Sequence, residues 1–138
     1  MLSKPKEEFL LRQKEKMWKN LLAALEEGGH EVIVEGKRDR IALQKLGIRN
    51  RITLINQSPD KVAERVASHG ADEAVVLTDF DETGEELAQR MCDALHSHGV
   101  TPDLDFRRKL RYLFGVLFME ELPTKVTQFQ QKLERFER

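Results

Sequence analysis

The stretch that decides the fold is residues 74–85, AVVLTDFDETGE. Its first part, Ala74–Thr78, is an uninterrupted run of apolar and β-branched residues, which is typical of a strand buried on both faces. Its second part places acidic residues and a glycine directly after that strand. A helical pattern then runs from about Glu82 to Ser97. The stretch therefore predicts a parallel strand, a polar loop and a crossover helix.

The same alternation of strand and helix extends on both sides of this stretch. Further strands are predicted at His30–Glu35, at Arg51–Ile55 and, more weakly, within Val100–Phe106, and further helices at Lys37–Leu46 and from Ser58 to about His69. Pro102 restricts the last strand to an edge of the sheet. Because parallel strands need helical crossovers, we predict a three-layer α/β fold with a central parallel sheet of about four strands and helices on both faces.

Helices are also expected at both ends of the chain. Residues 6–27 carry apolar side chains at three- and four-residue steps, and residues 107–138 are predicted as two helical pieces broken at Pro123. We interpret residues 1–138 as a single domain, with an N-terminal helical extension (1–30), a core (31–106) and a C-terminal helical extension (107–138).

The composition is that of a soluble globular domain and excludes several other classes. The 138 residues are 40% hydrophobic and 34% charged, with a net charge of −1. This charge gives no bulk attraction to nucleic acid, so that any such binding needs local basic patches. A single cysteine excludes an internal disulfide, and the spacing of a structural zinc site is absent. With neither a signal peptide nor a membrane span in the sequence, we expect a cytoplasmic protein.

Acidic residues stand where two of the predicted strands end. Glu35 is the last residue of the first strand, and Asp79 and Asp81 follow the third strand. If these strands are neighbours, the three carboxylates converge on one crevice at the carboxyl edge of the sheet. Mutual repulsion would then favour a shared cation, and Mg²⁺ suits such a site because it accepts one or two carboxylates and keeps waters. The alternative is that each aspartate only caps the following helix.

Two other interpretations of the acidic loop remain weaker. Residues 79–84 match the opening of a calcium-binding EF-hand loop, but Arg90 stands where a bidentate glutamate is required. Asp79–Thr83 also resembles the nucleophile motif of haloacid-dehalogenase-type phosphatases. That family places its motif on the opening strand, whereas two strands come first here.

Two blocks of sequence together resemble the Toprim domain. They are VIVEGKRD at residues 32–39 and LTDFDETGE at residues 77–85. This module is shared by bacterial-type primases, topoisomerases, OLD-family nucleases, RecR recombination proteins and a ribosomal RNA maturase. The resemblance covers about Glu31 to Phe106, and the whole chain is most similar to small stand-alone Toprim proteins, whose function is largely unassigned.

The resemblance implies a role for each matching residue. Glu35 corresponds to the family glutamate that serves as general acid or base, and Asp79 and Asp81 to the paired aspartates that hold Mg²⁺, for which Mn²⁺ could substitute. Gly36 and Gly84 correspond to glycines that let the backbone approach the site. Asp39 occupies an acidic position that is common after the first glycine.

Basic residues near these motifs are candidates for substrate phosphate binding. Lys37 and Arg38 follow the first strand, and a dense cluster comprises Arg107, Arg108, Lys109 and Arg111. Binding through these residues would weaken sharply with salt. The alternatives are a solvated helical turn for the first pair and an ordinary amphipathic helix for the cluster.

We therefore expect Mg²⁺-dependent phosphodiester chemistry on RNA or DNA, in a nuclease-like enzyme. One alternative is a non-catalytic, RecR-like module that binds nucleic acid or acts as an adaptor, and a second is a metal-dependent phosphatase or nucleotide hydrolase. The expected partner is nucleic acid and not a membrane, and a homodimer or a larger nucleic-acid-processing assembly is left open.

Overall fold

Four parallel strands form the centre of the molecule, as the computed structural model of residues 2–137 shows. The strands are β1 (Glu31–Val34), β2 (Ile52–Leu54), β3 (Glu73–Leu77) and β4 (Thr101–Asp103). The helices are α1 (Lys4–Gly28), α2 (Lys37–Lys45), α3 (Pro59–Ser68), α4 (Glu82–Ser97), α5 (Asp105–Phe114) and α6 (Leu122–Glu134), with a 3₁₀ turn at Met119–Glu121. The predicted α/β class and the parallel sheet are confirmed.

The strand order places β1 and β3 side by side. The order across the sheet is β2-β1-β3-β4, and Val34 pairs with Leu54 on one side and with Leu77 on the other. The direction in which the chain adds strands reverses between β1 and β3. In open parallel sheets, ligands bind at such a reversal, outside the carboxyl ends of the strands.

Alternation along the strands divides the core between the two faces of the sheet. Val32 and Val34 pack in one cluster with residues of α1, α2, α5 and α6, whereas Ile33 packs in the other with residues of α3 and α4. All three side chains are fully buried. Burial on both faces explains why these strands are continuously apolar. The two chain ends contribute to the first cluster, through Trp18 of α1 and Val126 of α6.

Capping residues set where the long helices begin and end. The Ser3 hydroxyl accepts a hydrogen bond from Lys6 N–H at the start of α1, and Gly29 ends that helix in the left-handed conformation. Ser58 caps α3 in the same way and is followed by Pro59. In residues 2–137, no helix is both long and apolar enough to cross a membrane.

The break in the C-terminal region is not where the sequence predicts it. Pro123 lies in the first turn of α6, where its missing N–H costs nothing. The chain instead leaves helical structure at Gly115, which has a φ of 59°, and stays irregular as far as the 3₁₀ turn. Residues 115–121, here called the crossing segment, thereby reach the carboxyl edge of the sheet. β4 is an edge strand, as Pro102 predicts.

Candidate active site

Glu35 and Asp79 meet at the carboxyl edge of the sheet. Glu35 directly follows β1, and Asp79 lies in the Thr78–Asp81 loop that follows β3. Since Val34 and Leu77 are paired, the residues after them leave the sheet together. The backbone N–H of Asp79 donates a hydrogen bond of 2.7 Å to Glu35 Oε2. The structure thus brings together two of the predicted carboxylates from positions 44 residues apart.

The negative charge of the carboxylates at this site is only partly offset by their hydrogen-bond donors. Burial raises the pKa of Glu35, and the charge of Asp79 raises it further, against the opposing effect of the Asp79 N–H. Burial also raises the pKa of Asp39, and the charges of Asp79 and Glu120 add to this. Asp39 accepts a hydrogen bond of 3.0 Å from Gly36 N–H. The site therefore concentrates negative charge that a cation would neutralise.

The crossing segment holds Asp79 from the other side. The backbone N–H of Met119 donates a hydrogen bond of 2.7 Å to Asp79 Oδ1, and Phe80 N–H donates one of 2.8 Å to the Leu117 carbonyl oxygen. Glu120 follows directly and adds its charge near Asp39. These contacts were not predicted from the sequence, since no motif marks a backbone N–H. Gly115 is the one signal that the helix ends early.

Asp81 has a different partner from Asp79. It is the N-cap of α4, where its Oδ1 accepts a hydrogen bond of 2.7 Å from Gly84 N–H. Within residues 2–137, no three acidic, histidine or cysteine side chains are grouped so that they could hold a metal ion. Glu35 and Asp79 therefore lie together, whereas one carboxylate oxygen of Asp81 caps α4.

The donor set that does assemble fits a hard divalent cation. Glu35 and Asp79 supply carboxylate oxygens, and Mg²⁺ in proteins is typically held by one or two carboxylates together with waters. The raised pKa of Glu35 beside a second carboxylate is the condition that such an ion would relieve. Asp81 stands two residues after Asp79, and only its Oδ1 is used by the helix cap.

Glycine is needed at position 84, because the backbone of Asp79 lies very close to it, whereas within residues 2–137 no such contact exists at Gly36. A Cβ at Gly84 would lie 2.1 Å from the Asp79 carbonyl oxygen and 2.9 Å from Asp81 Oδ1. The buried Thr78 hydroxyl donates a hydrogen bond of 2.7 Å to the Gly84 carbonyl and fixes this turn. Among the described residues, a Cβ at Gly36 would meet no protein atom within 4 Å, so no close approach within the protein itself requires glycine there, and its predicted role toward a ligand stays a prediction.

Arg107 braces the loop from inside the protein. It is only 5% exposed, its Nε donates to the Thr78 carbonyl at 2.9 Å, and its Nη2 donates to the Asp79 carbonyl at 2.6 Å. The guanidinium also pairs with both Glu85 oxygens and lies 4.5 Å from the centre of the Phe80 ring. Arg107 was predicted to contact substrate, but the structure places it inside the protein, where its donors bind the loop and Glu85.

The helical pattern carries a signal for this burial. Arg107 stands three residues before Leu110 and seven before Phe114, so these residues share one face of α5. Leu110 is fully buried. An arginine on the apolar face of a helix must find partners inside, and the carbonyls of the Thr78–Asp81 loop are those partners.

The other basic residues that were predicted to bind phosphate do not lie together. Arg111 is exposed but donates a hydrogen bond of 3.1 Å to the Phe80 carbonyl, beside the loop. Lys37 and Arg38 are exposed at the start of α2, and Arg38 Nη1 lies 3.8 Å from Glu120 Oε2. Across residues 2–137, neither Arg108 nor Lys109 forms a hydrogen bond with the loop, and Lys109 pairs with Asp105 at 2.7 Å. The basic cluster therefore does not act as one surface.

Comparisons with known proteins agree with this architecture. The family described as the Toprim domain matches residues 29–103. A UPF0292 protein of Pyrococcus furiosus is 39% identical over 97 residues, which is 70% of this chain and 72% of that protein. One from Methanosarcina barkeri is 37% identical over 107 residues, covering 75% and 74%.

A solved structure extends the similarity to three dimensions. It is described as a putative protein from Aquifex aeolicus, and it superimposes with a TM-score of 0.65 at 28% sequence identity. The match covers 75% of this chain and 95% of that one.

Proposed function

The chain belongs to the Toprim domain family, and from that premise we propose that it cleaves phosphodiester bonds of RNA or DNA in a Mg²⁺-dependent reaction. A Toprim domain indicates metal-dependent function related to nucleic acid. The observation that carries the proposal is the pair formed by Glu35 and Asp79, joined by a 2.7 Å hydrogen bond where the strand order reverses.

Glu35 is the residue proposed to bind and release a proton. Its Oε2 is fixed by the Asp79 N–H, which orients the carboxyl group. Burial raises its pKa, so that the group exchanges a proton closer to neutral pH than an exposed glutamate does. Both properties support a role as general acid or base at the leaving or attacking oxygen.

Asp79, with Asp81 and Glu35, is proposed to hold the divalent ion, either Mg²⁺ or Mn²⁺. When bound, such an ion neutralises charge that develops on phosphate oxygens. The chain itself keeps Asp79 in place: Met119 N–H binds its Oδ1, and Arg107 binds its carbonyl. A carboxylate that is oriented before the ligand arrives costs less to order on binding.

Lys37, Arg38 and Arg111 are the proposed phosphate contacts among the basic residues. The first two are exposed at the start of α2, which begins two residues after Glu35. Arg111 is anchored on the Phe80 carbonyl beside the loop. Contacts of this kind position the backbone without reading its sequence, and binding should weaken steeply as salt rises.

The test is cleavage of single-stranded and structured RNA and DNA with Mg²⁺ or Mn²⁺. Asp79→Asn and Glu35→Gln should each lower the cleavage rate by about 10²- to 10⁴-fold, as expected for loss of a metal ligand or of a general acid–base group. Asp60→Asn is the matched control, because Asp60 is an exposed acid on α3 that pairs with His98. Full activity in Asp79→Asn would contradict the proposal.

One observation favours a non-catalytic function as second candidate. Asp81 is engaged as the cap of α4, and no metal-holding group of three side chains is found over residues 2–137. The module would then bind nucleic acid or act as an adaptor. Binding that Mg²⁺ stimulates, with no cleavage of any strand by the unmodified protein, would support this candidate over the first.

A further inference from the structure

The crossing segment exposes two large apolar side chains beside the acidic pair. Leu117 is 42% exposed and Phe118 is 38% exposed, whereas the flanking Val116 and Met119 are buried. The segment follows the residues matched by the family, which end at 103. The buried Val116 and Met119 hold the segment against the core. The exposed Leu117 and Phe118 therefore project from a fixed backbone.

Phe118 lies close to the carboxylate of Asp79. Met119 N–H is 2.7 Å from Asp79 Oδ1, and the Cα of Phe118 is two covalent bonds before that nitrogen. Adding those bond lengths places the Phe118 Cα within about 6 Å of the carboxylate. The nucleoside attached to a phosphate bound at Glu35 and Asp79 would therefore lie within reach of the Phe118 side chain.

A cationic side chain contacts the crossing segment at Glu120. Arg38 has a side chain that is 87% exposed, and its ion pair with Glu120 is long, at 3.8 Å. Lys37 is exposed next to it. An aromatic face beside exposed cations is the combination that binds single-stranded nucleic acid, because bases stack on the ring while the cations follow the phosphates.

We propose that Phe118 is a stacking platform for an unpaired nucleobase next to the phosphate held at Glu35 and Asp79. The substrate class is then single-stranded nucleic acid, or a loop or end with an unpaired base, and not a continuous duplex. In a duplex both faces of each base are covered by neighbours, so that stacking on Phe118 would require a base to be unstacked first. This inference rests on the proposed function.

The test uses Phe118→Trp in a Glu35→Gln background, which removes turnover. Trp18, the natural tryptophan, is buried and packs edge-on against Phe114, so that a quench on binding reports on position 118. The probes are a single-stranded oligothymidine and a blunt-ended duplex of two complementary strands with the same total nucleotide count. The single strand should quench the fluorescence, and the duplex should not.

The affinity for the single strand, measured in the same Glu35→Gln background, distinguishes stacking on Phe118 from mere proximity of the strand to this residue. Phe118→Ala should weaken single-strand binding about tenfold or more, and Phe118→Tyr should restore it. Phe9→Ala is the matched control, because Phe9 is an exposed phenylalanine on α1, and it should leave binding unchanged. Equal quenching by both probes, no quenching by either, or unchanged affinity in Phe118→Ala would each overturn the inference.

Cleavage assays distinguish this failure from that of the proposed function. If Glu35→Gln abolishes cleavage while Phe118→Ala cuts single strands and duplexes as well as the unmodified protein does, the function stands and the stacking platform is wrong. If Glu35→Gln leaves cleavage intact, the proposed function itself fails.

Discussion

Two glutamates at opposite ends of β1, Glu31 in its first position and Glu35 directly after it, differ in how the fold surrounds their charge. Glu31 begins β1 and is only 6% exposed, yet it is well supplied with partners: the Thr53 hydroxyl donates to its Oε2, and His69 Nδ1 lies 3.0 and 3.2 Å from its two oxygens. Glu35 follows β1 and receives the Asp79 N–H, but it also faces the Asp79 carboxylate.

The two ends of the sheet therefore handle buried charge in opposite ways. At the amino end, side chains from β2 and the end of α3 satisfy the carboxylate, and the arrangement contributes to stability. At the carboxyl end, burial raises the pKa values of Glu35 and Asp39, and the nearby charge of Asp79 raises them further. Acidic groups whose pKa values are shifted in this way are typical of a functional site. Three variants test this difference between the two ends.

The largest effect is expected from Gly84→Ala at the carboxyl end. The new Cβ would lie 2.1 Å from the Asp79 carbonyl oxygen, a backbone atom that cannot move without displacing the loop. We expect the free energy of unfolding to fall by about 3 kcal/mol, at the upper end for overpacking, together with loss of cleavage. Chemical denaturation and the cleavage assay measure the two effects.

Gly36→Ala is the matched control for that variant. Position 36 has an extended backbone and no atom within 4 Å of the added methyl group. Its unfolding midpoint should stay near that of the unmodified protein. Equal destabilisation by the two variants would contradict the close approach assigned to Gly84.

His69→Leu should give an intermediate effect at the amino end. It leaves the buried Glu31 carboxylate with the Thr53 hydroxyl as its remaining side-chain partner. Losing one partner of a buried acceptor should cost about 1–3 kcal/mol of unfolding free energy. Cleavage should be unchanged in the folded variant, because four residues of extended strand separate Glu31 from Glu35 by about 13 Å. A stable variant that fails to cleave would break the contrast between the two ends.

The smallest effect is a change in how stability depends on pH in Glu35→Gln. The pKa of Glu35 is raised in the folded chain, so the folded state binds this proton more tightly than the unfolded state does. The stability that proton binding at Glu35 contributes to the folded state is therefore fully present below pH 4.5, which is the ordinary pKa of glutamate. It is lost as the pH rises through the raised pKa of the folded state. Glutamine removes that loss and can donate to the Asp79 carboxylate.

Thermal unfolding at two pH values measures this effect. Glu35→Gln should melt at a higher temperature than the unmodified protein at neutral pH, and the difference should vanish below pH 4.5. Glu86→Gln, an exposed position on α4, is the control and should show no such pH-dependent gain. A lower melting temperature for Glu35→Gln at neutral pH would mean that Glu35 is compensated as fully as Glu31.

Local pattern was sufficient to predict most of the fold. Ala74–Thr78 predicts β3 because an apolar run of that length fits only a buried strand between turn signals, and α4 has the predicted bounds of Glu82 and Ser97. The edge position of β4 follows from the missing N–H of Pro102. The break at Pro123 was wrong, since a proline starts a helix as readily as it ends one, and Gly115 was the stronger signal.

The candidate site was predicted only in part. Glu35 and Asp79 were expected together because the ends of neighbouring parallel strands coincide, and a strand position is readable from sequence. Asp81 was expected in the same group, yet it caps α4. Its two-residue spacing from Asp79 predicts a shared direction only if the backbone stays extended, and the loop turns into the helix there.

By itself, the sequence determined the alternation of strands and helices, the family, and which acidic residues end β1 and β3, because these depend on periodicity and on neighbours in the chain. The packed structure was needed to show that Arg107 lies inside and supports the loop, that Met119 N–H binds Asp79, and that Glu31 has two side-chain partners whereas Glu35 faces the Asp79 carboxylate. Those outcomes depend on backbone groups and helix ends that are distant in sequence, whose convergence requires the packed core.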